Sequence, residues 1–271
     1  MPELPEVETI ARHLADEIRG RSITGVRVTL PKIAVAPEGV DFQKTLVGER
    51  IERIGRRGKY VVMKLSSGRA LVTSLRMTGK LIVQPNQAGK PHPYTHVALD
   101  LSDGSRLCFS EMRQFGRMRL VARGEPWDAA LGREPLEPDF TPEAFIGMLS
   151  GRRAPVKVFL LDQRQVVGVG NIYACEALWE ARIRPERPAG ALSKPAIRRL
   201  HHALVDVLER AIGMRGTTID DYVDAAGVPG GFQNKLSVYG REGKPCLRCG
   251  AKIVRTVLGQ RGTWWCRKCQ R

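Results

Sequence analysis

Four of the six cysteines crowd into the end of the chain as Cys246-x-x-Cys249, sixteen residues, then Cys266-x-x-Cys269. Each pair can bring two thiolates to one ion, and the two pairs together complete a tetrahedral four-sulfur site. The last stretch is therefore predicted to fold around one structural Zn2+. Cysteine fills all four positions and leaves none for substrate, so the zinc is expected to be structural. No catalytic metal or organic cofactor is expected. Chance pairing or two disulfides are the alternatives, but this distribution is not that of a secreted disulfide framework. Between the pairs, residues 253–257 and 263–265 flank Gly259-Gln260-Arg261-Gly262, as in a β-hairpin with Arg261 at its tip. Such an arginine is placed to grip phosphate, although a solvated tip would look the same. Cys108 and Cys175 stand alone in apolar settings and read as buried reduced thiols, in keeping with a cytoplasmic protein.

The field around this chain should attract a polyanion. Lys and Arg number 44 against 28 Asp and Glu, a formal charge of +16. Nucleic acid is the leading partner, with acidic lipid, ribosomes or a merely solubilising surface as alternatives that charge does not separate. The chain opens on Glu3, Glu6 and Glu8 and has no apolar run of spanning length, which argues against secretion and membrane insertion. A soluble globular monomer is expected.

Apolar residues Val7, Ile10, Ala11, Leu14 and Ile18 recur at helical spacing, with glutamates in the first turn and Gly20 just past the end, so residues 3–18 are predicted as an amphipathic helix. β-rich runs follow around residues 23–30, 51–55, 60–65, 70–75, 97–101, 106–109 and 117–121. Ser67-Gly68 and Asp103-Gly104 supply hairpin turns. Strands without intervening helices suggest an antiparallel sandwich. Prolines and charges mark residues 133–141 as a linker. Beyond it, Thr141-Pro142, Ala154-Pro155 and Ser193 start helical segments. Residues 217–236, with Gly227, Pro229, Gly230 and Gly231, predict a long mobile loop. The fold class is thus α+β multidomain, divided as 1–132, the linker 133–141, 142–240 and 241–271.

Pro2 adds a chemical clue. Ordinary processing removes Met1 before proline and leaves a free secondary amine at a helix start beside Glu3. An α-amino group titrates near pH 7.7 to 8.0 in model peptides, so a useful fraction can be neutral and nucleophilic. Taken alone, Pro-Glu at a chain start means only a helix with favourable first residues.

The opening Met1-Pro-Glu-Leu-Pro-Glu-Val-Glu-Thr9 closely resembles that of bacterial formamidopyrimidine-DNA glycosylases. Arg57-Gly58-Lys59-Tyr60, Met77-Thr78-Gly79, Arg113 with Phe115-Gly116, Gly168-Val169-Gly170-Asn171-Ile172-Tyr173, Val238-Tyr239-Gly240-Arg241 and Gln260-Arg261-Gly262-Thr263 agree in order, across essentially the whole chain. The resemblance implies an N-terminal antiparallel β-sandwich with an N-terminal helix, a helix-two-turn-helix domain and a C-terminal β-hairpin zinc finger, with duplex DNA carrying oxidised bases as partner. It implies excision of oxidised purines followed by strand cleavage at the abasic site, in the bacterial cytosol and nucleoid.

An enzyme that attacks a glycosidic bond in duplex DNA must extrude the nucleotide and fill the space it leaves. By resemblance Pro2 is the nucleophile, Glu3 the proton donor and shuttle, and Glu6 a support for the N-terminus, a helix-dipole role being the alternative. Lys59 contacts the lesion or its phosphate. Met77, Arg113 and Phe115 are the wedge, Asn171 and Arg261 hold phosphates, and the loop 217–236 closes over the extruded base. Read without the family, Met77 and Phe115 would be core residues, Lys59 a solvated strand end and Asn171 a turn cap. The chain departs from the family pattern at Ser74, where many members have histidine, at Glu111-Met112-Arg113-Gln114-Phe115, where Asp-Pro-Arg-Arg-Phe is more usual, and around Gly231. The first departure is expected to weaken a phosphate contact and the second to reshape the wedge loop. An endonuclease VIII-like enzyme acting on oxidised pyrimidines shares Pro2 and Glu3, but Leu4 and the Met77, Arg113 and Phe115 set favour the purine enzyme. A silent DNA-binding zinc protein is the reading if Met1 is retained.

Overall fold

The computed structural model describes residues 1–219 and 222–271. They form two compact units, residues 1–129 with 214–231 and residues 130–213 with 232–271.

The first unit begins with helix α1 (Leu4–Ile18), whose N-cap is Glu3 and whose third residue, Glu6, reaches back to the cap N–H. Its apolar stripe Val7, Ile10, Ala11, Leu14 and Ile18 is buried in one core with residues of both sheets, among them Ile51, Val61, Leu71, Val97, Leu107 and Phe109. Complete burial of each Leu or Ile stabilises the fold by about 1.5–3 kcal/mol. The sheets comprise β1 (Ile23–Val28), β2 (Ala34–Val35), β3 (Ile51–Arg57), β4 (Tyr60–Leu65), β5 (Ala70–Ser74), β6 (Gly79–Gln84), β7 (Thr95–Leu101), β8 (Arg106–Glu111) and β9 (Arg117–Val121). One sheet has the order β1-β7-β8-β6 and the other β2-β9-β5-β4-β3. All pairs are antiparallel except β2 with β9, which is parallel at the sheet edge. The expected turns are present, with Gly68 and Gly104 at φ of 81° and 85° joining β4 to β5 and β7 to β8.

Among the described residues of this unit, one α-helix and two strands lie outside the expected pattern. The strand series is interrupted by a short helix α2 (Phe42–Leu46), capped by Asp41 accepting from the N–H groups of Gln43 and Lys44. The other two are β6, an edge strand pairing β8, and the two-residue β2.

The second unit holds helices α3 (Pro142–Leu149), α4 (Val156–Leu161), α5 (Asn171–Glu180) and α6 (Lys194–Gly213) and strands β10 (Val254–Leu258) and β11 (Arg261–Trp265). Thr141 caps α3 by accepting from Ala144 N–H at 3.1 Å. Residues 133–141 pack within this unit: Phe140 is buried and stacks on the His201 ring at 5.1 Å, and Arg133 N–H donates to Gln165 O. Residues 214–231, expected with the helices, cluster instead with the first unit. No helix among the described residues is long and apolar enough to cross a membrane.

Candidate active site and nucleic-acid interface

Pro2 is buried at the head of α1, while Met1 is 52% exposed. Glu3 and Glu6 are also buried. One carboxylate oxygen of Glu6 accepts the backbone N–H of Glu3 at 2.8 Å, and the other accepts the backbone N–H of Thr217 at 2.7 Å. Burying a carboxylate is costly unless its lone pairs are met, and here two main-chain donors meet them. Gly216 makes the approach possible. Its φ is +79°, and a Cβ there would lie 2.6 Å from Glu6 Oε1. The Tyr222 hydroxyl closes the group by donating toward Glu6 O at 3.3 Å and Arg215 O at 3.1 Å. Burial, and after it the Glu6 carboxylate, push the Tyr222 phenol well above its ordinary range, so it stays a donor.

The same helix carries Glu8, which accepts from Arg12 and from the buried Arg56. Burial opposes the Glu8 charge, but these hydrogen bonds outweigh it and hold the carboxyl below its usual value. Lys59 is half-buried in the two-residue turn between β3 and β4.

Met77, Arg113 and Phe115 come together at the surface of the first unit. Arg113 Nη1 lies 3.1 Å from Met77 Sδ, and its guanidinium stands 5.3 Å from the centre of the Phe115 ring. Met77 and Phe115 are 50% and 56% exposed, which excludes a core role for either. Uncovered apolar groups of this size next to a cation fit a surface that inserts into a base stack. Both loops are held in uncommon conformations, Arg76 and Gln114 adopting φ of 54° and 59°.

The carboxylate that fixes the second loop is Glu111, fully buried at the end of β8. It accepts from the Thr78 hydroxyl and from the backbone N–H groups of Arg113, Phe115 and Gly116. Burial raises its pKa, but those four donors outweigh the penalty and leave it below the ordinary carboxylate range. Thr78 in turn accepts from Arg113 N–H at 3.2 Å, which links the loop of Met77 to that of Arg113 and Phe115. Ser74, in the histidine position of the family pattern, is buried, and its hydroxyl accepts Arg117 N–H at 3.2 Å.

In the second unit the sulfurs of Cys246, Cys249, Cys266 and Cys269 all lie within 4.8 Å of one another. The Cys246–Cys269 and Cys249–Cys266 separations are 3.9 and 3.6 Å. A tetrahedral ion with Zn–S bonds near 2.3 Å needs sulfurs about 3.8 Å apart, so the cluster fits structural zinc. Strands β10 and β11 pair beside this cluster, and the turn between them is Gly259-Gln260, both at positive φ. A two-residue hairpin that matches strand twist requires positive φ at both positions. Arg261 is therefore not at the tip, as expected, but is the first residue of β11, paired with Leu258 and exposed.

The Asn171 side chain, at the first residue of α5, donates to Gly262 O at 3.0 Å, while its buried Oδ1 has no partner among the described residues. Lys157 Nζ donates to the same carbonyl at 3.0 Å and to Thr263 Oγ1 at 2.7 Å. Asn171 thus ties the hairpin beside Arg261 to the helices.

Residues 1–118 match the formamidopyrimidine-DNA glycosylase N-terminal domain, residues 131–223 its H2TH domain, and residues 243–271 the zinc finger found in FPG and IleRS. The chain belongs to the formamidopyrimidine-DNA glycosylase family. It is 47% identical over 279 residues to the formamidopyrimidine-DNA glycosylase of Pelotomaculum thermopropionicum, covering 100% of this chain and 99% of that protein. The crystal structure of MutM (Fpg) from Thermus thermophilus superimposes with a TM-score of 0.88 at 41% identity, covering 99% of this chain and 98% of the other. The complex between the Lactococcus lactis Fpg and an abasic site containing DNA gives 0.89 at 33% identity, over 99% of both chains.

Within this family frame, the first unit carries Pro2, Glu3, Glu6, Lys59, Met77, Arg113 and Phe115, and the second carries Asn171, Arg261 and the four cysteines. Of the segment 217–236, Asp220 and Asp221 lie outside the described residues. The rest is less free than its glycines suggest. Thr218 Oγ1 accepts Gly230 N–H at 2.9 Å, and Asp224 Oδ1 accepts from Ala226 and Val228. Sequence reasoning missed Lys157, whose signal was a lone cation inside the apolar run Val156–Leu161, and the partners Gly216, Thr217 and Tyr222, which carry no local signal.

Proposed function

We propose that this chain excises oxidised purines, 8-oxoguanine and formamidopyrimidines, from duplex DNA and then cleaves the abasic strand, working in the bacterial cytosol and nucleoid as a monomer. The activity is that of a bifunctional DNA glycosylase and abasic-site lyase of base-excision repair, and its partner is damaged double-stranded DNA. One observation carries the reading of the centre: the Glu6 carboxylate clamps the backbone of Glu3 to that of Thr217, immediately beside Pro2.

With Met1 removed, the Pro2 nitrogen attacks C1′ of the extruded deoxyribose and the bond from C1′ to the damaged base breaks. Glu3 protonates the ring oxygen as the sugar opens, leaving a positively charged iminium ion between Pro2 and C1′. A secondary amine suits this role because its iminium is charged without further protonation. The iminium acidifies the C2′ proton, whose loss expels the 3′ phosphate, and a second elimination expels the 5′ phosphate. Glu6 holds the nucleophile's backbone, and Lys59 contacts the lesion or its neighbouring phosphate. Met77, Arg113 and Phe115 fill the space left by the extruded nucleotide, Arg113 facing the orphaned base. Asn171 and Arg261 belong to the phosphate-holding surface, Asn171 through the backbone it positions. Residues 217–236 close over the base. The four cysteines hold zinc, which supplies structure to the hairpin and takes no part in bond breaking.

Borohydride trapping tests this reading on duplexes carrying 8-oxoguanine opposite cytosine or thymine glycol opposite adenine, with Pro2→Gly as control and intact mass confirming loss of Met1. A covalent adduct forming preferentially on the 8-oxoguanine duplex and absent in the control is expected. Preference for thymine glycol would move the chain to the pyrimidine-excising enzymes, and binding without an adduct on either duplex would make it a silent lesion sensor.

A further inference from the structure

The second unit holds a cavity of about 560 Å³ lined by Arg182, Arg187, Arg199, Arg248, Lys268 and Arg271. Apolar Ile183 and Ala196 complete its wall, together with two of the zinc-cluster cysteines, Cys249 and Cys269. Among the described residues no Asp or Glu lines it. Arg182, Arg187, Arg199, Lys268 and Arg271 make no side-chain ion pair among the described residues, and all five are exposed. Arg248 alone is paired. It donates to Glu180 at 3.2 Å and to Trp179 O at 2.9 Å, with its guanidinium 4.0 Å from the Trp179 ring.

A cluster of cations on a flat, solvated surface would have no shape to recognise. This one surrounds a concavity, and main-chain bonds fix part of it: Arg271 N–H donates to Arg182 O, and Arg184 N–H donates to Arg271 O, each at 3.2 Å. Zinc bound to four thiolates would carry a net double negative charge, and Glu180 and the α-carboxylate of Arg271 one each, which together would offset four of the six cations. The remaining positive charge has no acidic side chain beside it in the wall among the described residues. The volume also exceeds what a single tetrahedral anion requires, since a water occupies about 30 Å³ of liquid and the cavity has room for on the order of twenty.

We propose that this cavity is an anion site for a run of two or three linked phosphate groups, separate from the surface formed by Asn171 and Arg261. Guanidinium groups donate planar pairs of N–H bonds that match phosphate oxygens, and five arginines around one hollow suit a ligand with several phosphates in series. The linked phosphates can belong to a free oligophosphate or to the backbone of a single strand.

Isothermal titration of the zinc-loaded full chain with tripolyphosphate, and separately with a short oligothymidylate, tests the site. The comparison protein is the double variant Arg187→Glu/Arg199→Glu, with zinc content and melting temperature checked for both. Among the described residues the side chains of Arg187 and Arg199 hold no structural partner beyond one weak bond from Arg187 to Ala191 O at 3.3 Å. Tripolyphosphate binding that weakens by about tenfold or more in the variant, with 8-oxoguanine excision unchanged, assigns the site to a free oligophosphate. A loss confined to the oligothymidylate, with a shallower salt dependence, assigns it to a DNA strand. Equal binding of both ligands by the two proteins, or binding of neither by the parent, overturns the proposal.

Discussion

Glu6 and Thr217 are 211 residues apart in sequence, yet the Glu6 carboxylate accepts the Thr217 backbone N–H at 2.7 Å. The same carboxylate holds Glu3 N–H, so a side chain in the first turn of α1 fixes both the chain start and a distant loop. Glu6→Gln leaves one oxygen for two donors, and the expected cost is about 1–3 kcal/mol for the buried N–H left without an acceptor. Thermal melting should record the loss, and borohydride trapping should fall with it. Unchanged melting and trapping would remove Glu6 from its supporting role.

Gly216 offers a second route to the same clamp. Alanine there must adopt φ near +79° and place Cβ against Glu6 Oε1. Gly216→Ala is expected to destabilise the first unit by about 1–3 kcal/mol and to reduce trapping more than DNA binding. Measured affinity for a duplex with an uncleavable abasic analogue separates the two effects. An equal fall in both would place the damage elsewhere.

Glu111 ties the loop of Met77 and Thr78 to that of Arg113 and Phe115, and its carboxyl lies below the ordinary value of 4.5. A carboxylate whose folded pKa is depressed stabilises the fold fully above the unfolded pKa, and that contribution is lost as pH falls through the folded value. The melting temperature of the parent should therefore drop more steeply below about pH 4.5 than that of Glu111→Gln, which should start lower at neutral pH. Parallel acid profiles would show that the carboxylate charge does not hold this loop.

Phe115 is more than half exposed, so Phe115→Ala should change stability by no more than about 0.5 kcal/mol. A ring that stacks in DNA is worth about 1–3 kcal/mol, so single-turnover excision of 8-oxoguanine should slow by roughly fivefold or more. Excision at the parent rate would exclude Phe115 from the wedge.

Zinc removal reports on the second unit. Trp179 and Trp264 pack with the four cysteines and Trp265 lies beside Cys266, whereas Trp127 belongs to the first unit. Chelation is expected to shift tryptophan emission to the red and to weaken duplex binding, with both restored by added zinc. Binding that survives complete chelation would mean that the hairpin needs no metal.

Much of the scaffold is legible because it depends on local rules. The stripe from Val7 to Ile18 and the four cysteines each declare themselves by spacing, and Thr141-Pro142 is a cap in fact as in sequence. What escapes is short or continuous. Leu81-Ile82-Val83 in β6 is an apolar run with no alternation, and α2 has five residues, too few for a period to emerge. Glutamine seldom takes positive φ, so Gly259-Gln260 does not read as a turn and Arg261 is drawn to the tip in its place. The wedge can be named only by resemblance, since a methionine and a phenylalanine look alike in sequence whether they face a core or solvent. The clamp on Glu6 depends on an encounter across 211 residues, for which no window of sequence holds a sign.

The Gly262 carbonyl, held by both Lys157 and Asn171, has a mechanical consequence. The hairpin is a beam propped at two points, by the metal cluster at its root and by these two side chains near its far end. A beam supported so bends less under a lateral load and passes more of that load to its mountings. Force applied at Arg261 is therefore passed to α4 and α5 through Lys157 and Asn171.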